Sequence, residues 1–243
     1  MLFTFYMLFL CFLLTYEPIW GYISYQRFKR DLLEKPEETN RRTKYYKDIM
    51  IGLWLPAIVI LIVVALSPLS YSSIGITMPT FNTSALGKWP SIVILVLFLV
   101  YVVALIYQFI LLKMSEQFRQ KVASQFESMP YQEILPQSPH EKKLWGYVSL
   151  TAGVTEEIIY RGFLLFVFIE LFPELSVWLH VVLAGILFGL AHTYQGISGV
   201  VRTAIVGIFF GLIYFVFESI IPLIIFHFLL DYVAKAANNE ENL

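Results

Sequence analysis

The stretch TEEIIYRGFLLF, residues 155–166, sets two glutamates and an arginine inside a run that is otherwise apolar. The surroundings are apolar too. Of the 243 residues, 58% are hydrophobic and only 14% are charged, against roughly half and a quarter in soluble domains. That composition points to a polytopic membrane protein. Charges inside such a chain therefore need an explanation, because one at the bilayer centre costs on the order of 3 kcal/mol.

Working outward from this stretch, a span needs roughly 20 apolar residues. Candidate spans fall near 2–24, 48–67, 90–113, 145–171, 175–194, 199–217 and 219–237. The expected fold is thus all-α: a polytopic membrane helix bundle of about seven transmembrane helices. The first run, MLFTFYMLFLCFLLTY, has no basic leader and no small-residue cleavage site, so it reads as a retained helix. Glu17-Pro18 interrupts it. Residues 115–144 contain three prolines and mixed charge, and are expected to hold an amphipathic helix on the cytoplasmic face. They divide the chain into an N-terminal part, 1–114, with about three motif-free spans, and a polar-bearing helical core, 145–238.

Orientation follows the basic residues. Residues 25–47 carry eight of the seventeen lysines and arginines, 113–143 carry five, and 67–89 carry only Lys88. Both rich loops are expected in the cytoplasm, with the N-terminus outside, the C-terminus inside and the cell membrane as the location. The net charge of −1 gives no polybasic signal for nucleic acid. The single cysteine, Cys11, permits no intrachain disulfide and reads as packing.

Glu157 and Arg161 are four residues apart, so they share a helix face and can pair. Glu156 is left over, free to serve as a general base. Two later spans add polar groups: FGLAH ends at His192, and HFLLD carries His227 and Asp231 one turn apart. Plain readings exist for each: a hydrogen-bonded structural histidine, a structural ion pair, an interfacial His180, an exposed His140. The co-occurrence of a spare carboxylate and two histidines on separate helices of one half-chain favours a reactive site.

Glu156-Glu157-x-x-x-Arg161, then Phe188-x-x-x-His192, then His227-x-x-x-Asp231 resemble the three ordered motifs of the CPBP (Abi) family of intramembrane proteases, which includes CAAX prenyl endopeptidases and bacteriocin-immunity relatives. The resemblance spans roughly residues 143–236. It implies a bundle whose cavity opens toward the cytoplasm. In it Glu156 and His192 activate water, Glu157 and Arg161 support the site, and His227 with residue 231 stabilises the oxyanion. It is compatible with zinc held by Glu156, His192 and His227, and equally with metal-free chemistry. Where CAAX-type enzymes carry asparagine, this chain has Asp231, which when ionised accepts hydrogen bonds but donates none. That departure argues for a role in orienting His227 or in touching a metal, and against a prenylated substrate.

The function expected is an intramembrane endopeptidase acting on a membrane-embedded or membrane-anchored protein or peptide, lipidated or not. Its partners would be that substrate and the lipid bilayer, with no nucleic acid. Two other classes stay open. One is a non-catalytic immunity or scaffold protein of the same fold. The other is a proton-coupled transporter, since intramembrane carboxylates and histidines also form proton relays.

Overall fold

A computed structural model describes residues 2–34 and 40–237, and for 234–237 the backbone alone. The expected core's last residue, 238, and the terminal segment beyond it lie outside the described residues, as does the middle of the basic segment 25–47. Among the described residues there is no strand, and the chain is an all-α helical membrane bundle. Among the described residues, eight helical rods follow one another. Rod α1 is Leu2–Glu34, α2 Arg41–Leu66, α3 Lys88–Met114 and α4 Glu116–Glu127. Rod α5 runs through Pro139–Glu156, Glu157–Leu164 and Leu165–Leu171. Rods α6, α7 and α8 are Val177–Leu190, Gly196–Phe217 and Ile221–Ala237.

Rods α1, α2, α3 and the stretch Thr193–Phe217 are long and apolar enough to cross a membrane, while α6 and the Ile221–Val233 part of α8 are shorter apolar helices. On α2 the side chains of Ile51, Leu55, Ile58, Ile62 and Leu66 are exposed, and on α3 those of Val93, Val96, Val100, Val103 and Ile110. So continuous an apolar surface suits lipid and not water. Burial goes instead to the side facing α5. Phe163 is fully buried, with the rings of Phe5, Tyr6 and Phe9 edge-on at 5.7, 6.0 and 4.9 Å.

Three expected boundaries move. The basic segment 25–47, expected as a loop, is helical over Tyr22–Glu34 and again from Arg41. Its aromatic residues explain this: Tyr25, Phe28 and Tyr46 are buried together with Ile134 and Val148 in a second apolar cluster, separate from the main core. Rod α5 begins at Pro139 and not near 145. Ser138 and Glu141 form a reciprocal capping box there, with proline at the first helical position, where its missing N–H costs nothing. Rod α6 ends at Leu190, two residues before His192.

The two basic segments meet. The Tyr25 hydroxyl donates to Glu133 at 2.7 Å, and Lys29 pairs with the same carboxylate at 2.6 Å. Arg42 donates to the Glu133 carbonyl at 2.9 Å, and Tyr46 to the Ile134 carbonyl at 2.5 Å. Burial pushes the Glu133 carboxyl up, but the hydrogen bonds from Lys29 and Tyr25 outweigh it and hold the group below the usual carboxylate range. The amphipathic helix expected in 115–144 is α4, capped by Ser115 and packed inward through Phe118, Val122 and Phe126 at four-residue spacing.

At the other end, residues 67–87 fold back onto the bundle. Ile74 is fully buried, and the Ile220 N–H donates to the Gly75 carbonyl at 2.9 Å. A side chain at Gly162 would meet the Ile74 carbonyl at 2.7 Å, so the glycine after Arg161 lets that loop close on α5. Rods α6 and α7 form an antiparallel pair that approaches through small residues. A Cβ at Gly189 would lie 2.6 Å from the Val200 carbonyl.

Candidate active site

Each polar residue of the site is fixed by a local backbone feature. Glu156 closes the α-helical part of α5, and the next eight residues, Glu157–Leu164, form a π-helical stretch. Such widened turns are rare and recur at functional sites. All eight of these residues are buried, including both charged ones. Arg161 donates to Glu157 Oε1 at 2.9 Å, so the expected pair exists, at 3% and 0% side-chain exposure. The Arg161 guanidinium also lies 4.1 Å from the Phe188 ring centroid and 4.9 Å from that of Phe210, a desolvated cation–π sandwich.

The same Glu157 oxygen accepts a second hydrogen bond, from His227 Nδ1 at 2.7 Å. This fixes the ring: Nδ1 carries the proton, and Nε2 faces away from Glu157. Nε2 stands 3.8 Å from Glu156 Oε2 and 3.6 Å from Asp231 Oδ2. The orienting bond assigned in sequence to Asp231 is therefore made by Glu157 from another helix. Asp231 faces Nε2 as a charge beyond hydrogen-bond distance. Its own carbonyl accepts from Trp145 Nε1 at 3.0 Å, tying α8 to α5.

His192 sits just past the end of α6. Its Nδ1 donates to the Phe188 carbonyl, one turn back, at 2.8 Å. In the neutral ring Nε2 then holds an uncommitted lone pair. Glu156 is uncommitted as well: Oε2 is buried without a hydrogen-bond partner. Glu156, His192, His227 and Asp231 all line one cavity of about 590 Å³, bounded further by apolar side chains such as Leu13, Trp20, Leu53 and Phe210. The structure thus brings together the four residues expected to act, with the Glu157–Arg161 pair behind them.

The cavity is also lined by polar residues not expected there from the sequence, Glu17 and Tyr160 among them. Glu17 enters from α1, where the chain widens into a second π-helical turn over Tyr16–Gly21. Tyr160 enters from α5, one turn after Glu156. The signal for Glu17 was its pairing with a proline inside an apolar run. For Tyr160 it was a hydroxyl between two charged motif positions. His180, expected at the interface, is 2% exposed, with Nε2 donating to the Phe172 carbonyl at 3.0 Å, and takes no part in the cavity.

Residues 140–233 match the family described as Type II CAAX prenyl endopeptidase Rce1-like. Over this segment the chain is similar to the CAAX-protease-like family. The segment contains Glu156, Glu157, Tyr160, Arg161, His192, His227 and Asp231 but not Glu17, and it begins at the capped start of α5. No curated protein and no solved structure matches the chain.

The zinc donors expected by resemblance, Glu156, His192 and His227, can be tested on this geometry. Among the described residues, no three His, Cys, Asp or Glu side chains come together as a metal site. As placed, these side chains do not fit a metal.

Proposed function

We propose that the chain is an intramembrane endopeptidase that hydrolyses a peptide bond in a membrane-embedded or lipid-anchored substrate. The observation that carries this reading is a pair of uncommitted basic atoms, Glu156 Oε2 and the His192 Nε2 lone pair, on one cavity with apolar walls. Amide hydrolysis needs a base for water and a donor for the oxygen that becomes negative. A water between Glu156 and His192 loses a proton to Glu156 as its oxygen bonds to the carbonyl carbon. The tetrahedral intermediate collapses when the C–N bond breaks, and the proton passes to the leaving amine. His227, held through Nδ1, presents Nε2 to the reacting centre and in its protonated form donates from it.

The apolar lining supports a hydrophobic segment or acyl-type chain entering beside the scissile bond, and the family description supports a prenylated C-terminal peptide as one case. The basic layer built from 25–47 and 113–143 supports a cytoplasmic mouth and a cell-membrane location.

The test is cleavage by purified protein in liposomes, with a prenylated peptide and a non-lipidated transmembrane peptide as substrates. Glu156→Gln keeps the shape and removes the base, and is expected to lower turnover by about a hundredfold or more. More than about a tenth of wild-type turnover in that variant contradicts the base role. Absence of cleavage of either substrate by the wild type favours the scaffold reading.

A further inference from the structure

The cavity holds a donor that the chemistry above does not use. The Tyr160 side chain is 3% exposed, and its hydroxyl is buried without a hydrogen-bond partner. Buried hydroxyls are nearly always paired, because leaving one unpaired destabilises the fold. The ring is not adaptable either. It stands edge-on to Phe188 at 5.0 Å, the residue whose carbonyl holds His192 and whose ring carries the Arg161 guanidinium. Tyr160 is therefore fixed by the same scaffold that fixes both His192 and Arg161, one turn from Glu156 on the same rod.

His227 Nε2 donates only when that ring is protonated, and in the neutral histidines the one ring N–H of each is committed. His192 Nδ1 is bonded to the Phe188 carbonyl, and His227 Nδ1 to Glu157. An ionised Asp231 only accepts. Arg161 Nη2 lacks a partner, like the Tyr160 hydroxyl, but Arg161 does not line the cavity. A preorganised, unpaired O–H in a dry site is what a developing oxyanion requires.

We propose that the Tyr160 hydroxyl is an oxyanion donor of this site. The inference rests on the endopeptidase reading. As water attacks, the carbonyl π electrons move onto oxygen, and that oxygen accepts a hydrogen bond from Tyr160. The phenol keeps its proton throughout. When the C–N bond breaks, the electrons return, the carbonyl reforms and the hydrogen bond relaxes. Tyr160 thus touches the reacting oxygen, while Glu156 carries the proton from water to amine.

Tyr160→Phe separates this role from a packing role. A packing tyrosine with an unpaired hydroxyl gains from losing it, so Phe would leave both the thermal midpoint and turnover as they are, or raise the midpoint. An oxyanion donor gives a different pattern: kcat lower by about 100–1,000-fold, KM little changed, midpoint unchanged or higher. A kcat within threefold of wild type overturns the proposal. If the Phe variant does not fold, fluorotyrosines are incorporated at position 160. A kcat that follows phenol acidity supports the donor, and a flat series overturns it. Glu156→Gln runs alongside. Full activity in Tyr160→Phe with none in Glu156→Gln removes the tyrosine role and leaves the protease. A wild type with no cleavage at all removes both.

Discussion

Replacing Arg161 with methionine tests whether the buried ion pair holds the site together. The substitution keeps length and apolar volume and removes the charge. Glu157 would then be left fully buried with one acceptor bond, from His227 Nδ1. Stranding one partner of a buried pair costs roughly 3–5 kcal/mol. The lost contacts with the Phe188 and Phe210 rings add about 1–2 kcal/mol. At about 2–4 °C per kcal/mol for a chain of this size, the melting midpoint in detergent should fall by about 8 °C or more. Glu157→Gln alone leaves the guanidinium buried and should also destabilise strongly. The double variant removes both charges, while the amide oxygen introduced at position 157 still accepts from His227. It should therefore recover part of the loss, with a coupling on the order of 1–3 kcal/mol. Thermal melts of the wild type, both single variants and the double variant close the cycle. Losses that simply add to within about 0.5 kcal/mol would refute a direct pair.

Asp231→Asn should lower turnover about 10–100-fold, because the carboxylate charge faces His227 Nε2 while Glu157 alone keeps the ring oriented; turnover equal to wild type from pH 6 to 8 would sink that role. Single cysteines placed at positions 30 and 121, in a variant lacking Cys11, should resist an impermeant maleimide in intact cells, and labelling of either one would reverse the orientation. The Glu133 carboxyl lies below its unfolded value, so its stabilising contribution is complete above about pH 4–5 and is lost as pH falls through the lowered folded value. Hydrogen exchange at residues 25–31 and 130–135 should rise on acidification, and should stop doing so in Glu133→Gln; an unaltered acid response in that variant would contradict the link.

The bundle was legible because its signals are local and additive: apolar runs of spanning length, basic clusters between them, and a polar segment whose proline-free first part is α4. What composition could not show was where helices outlast the membrane. Rod α1 continues to Glu34 because Tyr25 and Phe28 find partners in residues 46, 134 and 148, contacts more than a hundred positions apart in part. The site was legible to the extent that i,i+4 geometry fixes it, as for Glu157 and Arg161. It was not legible where two helices meet. Nothing in HFLLD says that His227 reaches across to Glu157 and leaves Asp231 on the far nitrogen. The π-helical stretch over Glu157–Leu164 is likewise a tertiary result, since its residues would suit an ordinary α-helix.

The N-terminal rod is the clearest case of a sequence feature whose meaning lay in packing. Glu17-Pro18 read as an interruption of a span. In the structure the interruption is a π-helical turn, Tyr16–Gly21. The Pro18 carbonyl accepts from the Thr193 hydroxyl at 2.7 Å, on the residue directly after His192. The same turn sets Glu17 on the cavity wall with Glu156. So the part of the chain outside residues 140–233 does two things for the site: it clamps the short turn that carries His192, and it adds a carboxylate to the space where the substrate would lie. The motifs of the C-terminal half supply reactive groups, but a histidine beyond a helix end stays in register only if its loop is held. Here the holding group comes from the helix that carries no motif.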